Sequence, residues 1–391
     1  MRRILIDADT GIDDSIAILY ALNSKNLHVE GITTCFGNSG AAQSADNCLR
    51  LIQLSKCGYD VPVVVGAERN IDGELDKAPA HIHGENGIGN VILPESPQKP
   101  LEMDAADFII QKAEELDGEL IIVTTGRLTN LANALQKDPK LPRKVKKVVT
   151  MGGCLEAAGN VSPVAEANIY GDARAADIVF RAGFHLILVG LDVTCKTFIT
   201  EKDLDNAERY CSEKCRDAVA YMRDALKLYF EYHRVSQGMV HQSFVHDPLA
   251  VLIAEDASLG EYKMLRAGVE YQAPAFRGMI LTDGRFESEM DHDEISICTR
   301  VDSVRAIRRL FSVFCASCAF LNRNTRMARA RAFSRGRIPE TRSERQRPWH
   351  LRVRAVCPLR RGQGFRRCSL FCAGIARKNF FKRLIISRRK S

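Results

Sequence analysis

Four aspartates are crowded into one short stretch near the amino terminus. Asp7, Asp9, Asp13 and Asp14 all lie in RRILIDADTGIDDSIAILY, which spans residues 2–20. Four carboxylates at this spacing repel one another and shift one another's pKa values. A divalent cation would hold them together, and hard oxygen donors with no Cys or His nearby favour Ca²⁺ or Mg²⁺ over zinc. The stretch therefore predicts a metal site made of carboxylate oxygens.

The same stretch is typical of a strand that passes through a turn into a helix. Residues 4–6 are apolar and predict a short buried strand, Thr10-Gly11 predicts a turn, and residues 15–20 predict the start of a helix. Open α/β sheets bind ligands at the carboxyl ends of their strands, which is where this pattern places the carboxylates. Asp is also common at helix N-caps, so Asp13 or Asp14 has the alternative interpretation of a simple cap.

Strands and helices alternate through most of the chain. The apolar patterns predict strands at residues 29–34, 61–65, 120–124, 145–151 and 186–189, and helices at residues 41–54, 103–116, 128–136, 172–180, 202–232, 247–254 and 302–314. Residues 67–100 predict a long loop, and residues 261–300 lack helical periodicity and predict antiparallel strands. This alternation predicts an α/β fold with a mostly parallel sheet and helices on both faces.

The bulk composition fits a protein with a sizeable core and no membrane partner. The 391 residues are 46% apolar, yet no apolar run reaches the ~18 residues of a membrane span. Only three apolar residues separate Met1-Arg2-Arg3 from Asp7, too few for a signal peptide. Thirteen irregularly spaced Cys without an export signal indicate reduced thiols. We therefore expect a cytoplasmic protein.

The positive charge of the chain belongs to its C-terminal segment. Residues 321–391 carry 22 Lys and Arg against two Glu; the whole chain has a formal charge of +8, which leaves −12 on residues 1–320. We therefore divide the chain into a domain of residues 1–315 and an Arg-rich tail of residues 316–391, interpreted as disordered or aberrant. We do not expect a nucleic-acid partner, although Arg interleaved with Phe could bind one. Cys315 and Cys318 lack the second pair of a zinc finger.

The aspartate stretch resembles the signature of the inosine–uridine nucleoside hydrolase family, DxDxGxDDAxA. Further blocks resemble family motifs in the same order, namely Gly37-Asn38, HIHGENG at 81–87, TTGRLTN at 124–130, VTMGG at 149–153, GNVSPVAEANIYGD at 159–172, GLDVT at 190–194 and VHDP at 245–248. The resemblance covers about residues 1–315. It implies a homodimeric or homotetrameric enzyme of purine and pyrimidine salvage, which uses Ca²⁺ to hydrolyse a ribonucleoside to ribose and free base.

The resemblance also implies a role for individual residues. The metal oxygens would come from Asp9, Asp14, Asp247 and the backbone carbonyl of Thr125, with Asp9 also acting as the general base. The ribose would be bound by Asp13, Asn38, Asn160, Glu166 and Asn168, with Met151 packed beneath it. His83 and His246 would give a proton to the departing base, since His titrates near neutrality.

Other residues have subsidiary roles in this hypothesis. Asp7 would orient its neighbours, and the helix that bears Tyr229, Tyr232 and His233 would flank the base. The two-residue spacing of Glu166 and Asn168 suggests one face of an extended segment. Two positions depart from the family pattern: Thr10 stands where many members have Pro, and Arg127 stands where many have Gly.

Alternative functions fit parts of the sequence. A Mg²⁺-dependent phosphohydrolase of the haloacid-dehalogenase type also begins with a strand and DxD, but it expects Thr or Val at the position of Gly11. An RNA-binding protein would act through the basic tail. An inactive relative is the third alternative, if the tail disturbs the closing helix or the subunit contacts.

Overall fold

A computed structural model of the chain describes residues 1–75, 77–285 and 290–316. Apart from Ala316, the tail expected at residues 316–391 lies outside the described residues, and so does Cys318. The domain division at residue 315 therefore stays a prediction.

A sheet of nine strands forms the centre of the described part. Its strands are β1 (Arg2–Ala8), β2 (Leu27–Thr34), β3 (Val63–Val65), β4 (Leu120–Thr124), β5 (Val145–Met151), β6 (Leu186–Val189), β9 (Gly260–Val269), β10 (Ile280–Asp283) and β11 (Glu294–Val301), while β7 (Phe198–Thr200) and β8 (Gln242–Phe244) form a separate antiparallel pair. The order across the large sheet is β10-β9-β11-β6-β5-β4-β1-β2-β3. Pairing is parallel from β3 to β11 and antiparallel for β9 and β10. The predicted α/β class is confirmed.

Helices cover both faces of this sheet. They are α1 (Ile12–Asn23), α2 (Ala41–Ser55), α3 (Ala80–His83), α4 (Ala105–Leu116), α5 (Thr129–Lys137), α6 (Leu141–Lys144), α7 (Ala167–Gly171), α8 (Ala173–Phe180), α9 (Leu191–Thr194), α10 (Glu201–Tyr210), α11 (Arg216–Gln237), α12 (Asp247–Glu255) and α13 (Ser303–Ser312). Alternate residues of β1 point to opposite faces, so Ile4 and Ile6 join one apolar core and Leu5 joins the other. The parallel strands are therefore almost continuously apolar, because a parallel sheet is buried on both faces.

The sequence predicted most elements to within a few residues, with three differences. The predicted loop of residues 67–100 contains the short helix α3. The predicted helical stretch of residues 202–232 is two helices, α10 and α11, which are separated where Cys211 pairs with Cys315 in an isolated antiparallel bridge. Glu166 and Asn168 do not share an extended segment. Glu166 caps α7 and Asn168 lies in its first turn, because the Glu166 carboxylate accepts the first free N–H groups of that helix.

Candidate active site

The N-terminal aspartates lie at the carboxyl end of β1, at the centre of the parallel sheet. Asp9 follows β1 directly, and Asp13 and Asp14 lie in the first turn of α1. Neighbouring strands end at the same edge, so Asn38 after β2 and Thr125 after β4 are brought to the same place. All three aspartates are buried.

Asp247 completes this cluster from a distant part of the sequence. It is the first residue of α12, a buried helix that packs against α1. One carboxylate oxygen each from Asp13, Asp14 and Asp247 lies within 4.8 Å of the others, and no other group of three His, Cys, Asp or Glu in the described ranges brings its ligand atoms this close. The N-cap of α12 is His246, so Asp247 is not the cap residue.

Asp14 is the third residue of α1, its side chain accepts the N–H of the N-cap residue Gly11, and it belongs to the cluster. Its Oδ2 accepts the backbone N–H of Gly11 at 2.7 Å, and its Oδ1 accepts the hydroxyl of Thr125 at 2.7 Å. The side-chain amide of Asn38 also donates to Oδ2, at 3.1 Å. The alternative in which Asp13 or Asp14 is a simple N-cap is therefore wrong, because Gly11 is the N-cap, and the bond to Gly11 fixes the Asp14 carboxylate near Asp13 and Asp247.

Asp9 is held by three hydrogen bonds. Its Oδ2 accepts Nη1 of Arg127 at 2.8 Å and the backbone N–H of Asn38 at 3.0 Å, and its Oδ1 accepts Nδ2 of Asn38 at 3.1 Å. A carboxylate oxygen offers about two lone-pair positions. Oδ2 is therefore fully used, and Oδ1 keeps one position free for a cation or for a proton.

Burial and mutual repulsion shape the electrostatics of the cluster. Burial, with the neighbouring Asp14 carboxylate second, raises the pKa of Asp13 to about 7. Burial and then the other carboxylates raise the pKa of Asp9 and Asp247 well above its usual value. Burial also raises the pKa of Asp14, while its hydrogen bonds with Thr125, Gly11 and Asn38 act in the opposite direction. Four buried acids at this spacing are costly unless a positive charge is near.

The donor set fits a hard divalent cation. Every candidate ligand is an oxygen, and Oδ1 of Asp13 is buried without a hydrogen-bond partner among the described residues. A buried carboxylate oxygen without a protein partner is rare in native structures, and a water molecule or a cation commonly supplies the missing contact. This arrangement can hold a metal ion, as the sequence predicted.

Asp7 stands apart from these carboxylates. Its Oδ1 accepts the hydroxyl of Thr33 at 2.6 Å and Nδ2 of Asn130 at 2.8 Å. Burial raises its pKa to about 6. Within the described residues Asp7 thus connects β1 to β2 and to α5 through hydrogen bonds. It stabilises the edge of the sheet at which the other aspartates lie.

The predicted sugar-binding residues on α7 are fixed by backbone contacts. The Glu166 carboxylate accepts the N–H groups of Gly153, Asn168 and Ile169 at 2.8, 2.9 and 3.2 Å. The Asn168 amide donates to the backbone carbonyls of Thr125 at 2.8 Å and Met151 at 3.2 Å. The predicted metal carbonyl and the predicted sugar ligands therefore meet in one place.

Asn160 differs from the other predicted sugar ligands because it is exposed. Its Oδ1 accepts the N–H of Ala167 at 3.0 Å. This bond ties the loop of residues 159–166 to the start of α7, so Asn160 lies beside the cluster on its solvent side.

Two predicted proton donors, His83 and His246, lie in a run of aromatic side chains. The ring centroids of His83 and Tyr229 are 5.5 Å apart, those of Tyr229 and His233 are 4.5 Å apart, and Phe244 continues the run to His246. The hydroxyl of Tyr229 donates to Oδ2 of Asp13 at 3.3 Å, which joins this run to the aspartates. The sequence had placed these aromatic residues beside the base only as candidates.

Both histidines are neutral in this environment. Burial, and then the neighbouring imidazole of His246, lowers the pKa of His83 to about 3; burial and His233 lower the pKa of His246 to about 3. Nδ1 of His83 accepts the backbone N–H of Ile12 at 3.1 Å, so the single proton of that ring is on Nε2. Burial therefore favours the neutral ring of both residues, in which His83 offers an N–H donor, and their role as proton donors stays a prediction.

The sequence did not predict the buried ion pair between Arg127 and Asp9. Arg127 was noted only as a departure from the family pattern. The available signal was its place in TTGRLTN, directly after the strand that ends beside β1.

Comparisons with known proteins agree with this geometry. The model of the "Inosine-uridine preferring nucleoside hydrolase" family matches residues 4–308. Uridine nucleosidase 1 of Arabidopsis thaliana is 38% identical over 272 residues, which is 69% of this chain and 79% of that protein. A pyrimidine-specific ribonucleoside hydrolase of Salmonella typhi is 35% identical over 283 residues, which is 72% of this chain and 89% of that protein.

Solved structures give the same result. A plant nucleoside hydrolase superposes with a TM-score of 0.76 at 34% identity, covering 81% of this chain and 99% of its own. A purine-preferring ribonucleoside hydrolase from Gardnerella vaginalis gives a TM-score of 0.74 at 32% identity, covering 80% of this chain and 98% of its own.

The chain therefore belongs to the inosine-uridine preferring nucleoside hydrolase family. It is a nucleoside hydrolase, an enzyme of the glycosidase class that acts on the N-glycosyl bonds of ribonucleosides. The phosphohydrolase alternative is set aside by this assignment. The RNA-binding alternative concerns a tail that lies outside the described residues.

Within the described residues no helix is both long and apolar enough to cross a bilayer.

Proposed function

We propose that this enzyme is a Ca²⁺-dependent ribonucleoside hydrolase with uridine among its substrates. The observation that carries the proposal is the meeting of Asp13, Asp14 and Asp247 in one buried group of oxygens. Uridine is proposed because the uridine nucleosidase of Arabidopsis thaliana is among the relatives with 38% identity.

The cation would be held by Asp9, Asp14, Asp247 and the carbonyl oxygen of Thr125. Oδ1 of Asp9 keeps one acceptor position, and the Thr125 carbonyl accepts the Asn168 amide and keeps its second lone pair. When bound, Ca²⁺ lowers the pKa of a coordinated water. An ion with flexible coordination at six to eight oxygens suits a donor set of carboxylates and one carbonyl.

Asp9 is the proposed general base. Its Oδ2 is fully hydrogen-bonded, so a proton would go to Oδ1, where one lone-pair position remains. Using Oδ1 for both a cation and a proton requires the Asn38 amide to turn away. That amide would then be free to bind the ribose, which is the role that the family resemblance implies for Asn38.

Asp13 would bind the ribose hydroxyl groups. Its Oδ2 accepts the hydroxyl of Tyr229, while its buried Oδ1 lacks a partner among the described residues and can accept a hydroxyl hydrogen. Glu166 and Asn168 would hold the rest of the sugar, with Asn160 at the solvent side and the buried Met151 beneath the ring. Hydrogen bonds that tighten as the ring flattens would stabilise an oxocarbenium-like transition state.

The departing base needs a hydrogen-bond donor. His83 presents Nε2–H as a neutral imidazole, and His246 bonds through Nδ1 to the hydroxyl of Thr194 at 2.8 Å. A neutral donor stabilises negative charge on the base in a low-dielectric site. Water would attack directly without a covalent intermediate, so the configuration at the sugar carbon would invert.

The proposal is tested by adding uridine and inosine to the purified full-length protein and measuring reducing sugar. We expect ribose to appear, to stop with a chelator, and to return when Ca²⁺ is restored. No ribose from either nucleoside, or release unaffected by the chelator, would refute the proposal. The cytoplasmic location and the homodimer or homotetramer remain predictions, and gel filtration tests the latter.

A further inference from the structure

A buried guanidinium lies against the carboxylate cluster. Arg127 belongs to the turn between β4 and α5, and its side chain is 9% exposed. Nη1 donates to Oδ2 of Asp9 at 2.8 Å, and Cζ lies 5.0 Å from the centre of the Phe36 ring. The guanidinium is therefore held between an anion and an aromatic face, the two partners that Arg prefers.

The backbone leaves a slot for this side chain. A Cβ atom at Gly37 would lie 1.9 Å from Nη1 of Arg127, and one at Gly171 would lie 2.4 Å from its Nε. Neither position can hold a side chain without moving the guanidinium. The slot is made by segments after β2 and in α7, so three distant parts of the sequence share one arrangement.

Burying the guanidinium charge costs free energy, and the group that compensates this cost indicates the role of Arg127. Nε of Arg127 is buried without a hydrogen-bond partner among the described residues, so the slot does not provide an acceptor for every N–H of the guanidinium. A buried charge is retained at such a cost only where an opposite charge faces it. Asp9 is the carboxylate in contact, and the Asn38 amide links Asp9 to Asp14, which groups with Asp13 and Asp247.

We infer that Arg127 is a positioning residue and an internal counter-ion of the metal site. It fixes Oδ2 of Asp9 and thereby leaves Oδ1 to face the reacting groups. Its positive charge also offsets part of the negative charge that would attract a divalent cation, so guanidinium and cation oppose each other's binding. This inference rests on the proposed function, because it assumes that the cluster holds a cation.

The first test compares melting temperatures with chelator and with saturating Ca²⁺. In R127A the carboxylates lose a counter-ion, so we expect Ca²⁺ to raise the melting temperature of R127A by several degrees more than it raises that of the natural protein. R127K keeps the charge and should resemble the natural protein. R181A is the matched control, since the half-exposed Arg181 pairs with Asp177 rather than with a carboxylate of the cluster and should leave the rise unchanged.

The second test measures Ca²⁺ affinity and kinetics. Calorimetric titration should give at least about fivefold tighter binding in R127A, the lower end of typical couplings between sites. R127Q is neutral but retains an amide donor, and it should show the same gain if R127A does not fold. With uridine we expect kcat to fall about tenfold or more in R127A while KM changes little, because the base is misplaced but the sugar contacts remain.

The outcomes separate this inference from the proposed function. If Ca²⁺ raises the melting temperature of the natural protein, R127A and R127Q equally, or binds the variants less tightly, Arg127 is not a counter-ion of the site. If no divalent cation stabilises or binds the natural protein, the metal site itself is wrong and the inference fails with it. A larger Ca²⁺-induced rise in R127A and R127Q, with R181A unchanged, supports it.

Discussion

The hydroxyl of Thr125 donates a 2.7 Å hydrogen bond to Oδ1 of Asp14, although 111 residues separate them in the sequence. The bond joins the end of β4 to the first turn of α1, and both groups are buried. The position of this proposed metal ligand therefore depends on the parallel pairing of β1 with β4.

Removing this hydroxyl should weaken the site. T125V keeps the shape of the side chain but leaves Oδ1 of Asp14 short of a donor, and we expect a loss of about 1–3 kcal/mol in the free energy of unfolding. T125S keeps the hydroxyl and should lose less than T125V. Urea denaturation of the two variants measures the difference, and equal losses would show that the hydrogen bond does not matter.

The stability of the protein should fall with rising pH when a chelator is present. Burial raises the pKa of Asp7 to about 6 and that of Asp13 to about 7, so these acids keep protons in the folded protein that they lose when unfolded. Their stabilising contribution is complete below about pH 4 and is lost as the pH rises through 6 to 7. Saturating Ca²⁺ favours the ionised acids and should flatten this fall.

The variant D13N tests the pH effect. It removes one titrating group of the cluster, so the melting temperature in chelator should depend less on pH between 4 and 7. D46N is the control, because Asp46 forms a half-exposed surface pair with Arg50. A D13N curve parallel to that of the natural protein would mean that Asp13 does not titrate in this range.

Gly37 should not tolerate a side chain. Its Cβ would lie 1.8 Å from Oδ2 of Asp9, so G37A must displace either Asp9 or Arg127. We expect a loss of about 1–3 kcal/mol in stability, as for other overpacked sites, together with most of the activity. At Gly40 the nearest atom is a flexible Glu68 oxygen 3.6 Å away. G40A should therefore behave much like the natural protein, and equal effects of the two substitutions would contradict the close approach.

The described domain should work without the basic tail. The last described contacts join Phe314 and Ala316 to Ser212 and Tyr210, so a stop codon after residue 317 keeps them. We expect the truncated protein to fold and to release ribose from uridine at a rate within about twofold of the full chain. A truncated protein that is insoluble or inactive would show that the tail belongs to the functional enzyme.

Local patterns in the sequence predicted most of the fold and the crowding of the N-terminal aspartates, whereas Asp247 was assigned to the cluster only by the family resemblance. The apolar runs predicted the parallel strands, and the four aspartates within residues 7–14 lie close in sequence, although contacts with Thr33, Arg127 and Thr125 fix their side chains. The sequence did not predict that Glu166 is the N-cap of α7, because a two-residue spacing does not reveal a capping side chain.

What the sequence did not predict depends on contacts between distant segments. The neutral state of His83 and His246 follows from burial among other imidazoles, which only the packed structure shows. The contact between Arg127 and Asp9 depends on the room left by Gly37 and Gly171. Neither effect has a periodic or spacing signal, since both arise from tertiary packing.

The measurement that tests the central claim most directly is the metal content of the full-length protein and of D247N after dialysis against Ca²⁺. We predict one Ca²⁺ per chain in the natural protein, none in D247N, and a loss of ribose release from uridine in D247N of at least about a hundredfold. A D247N protein that retains one tightly bound Ca²⁺ and natural activity would show that Asp247 does not close the metal site with Asp13 and Asp14.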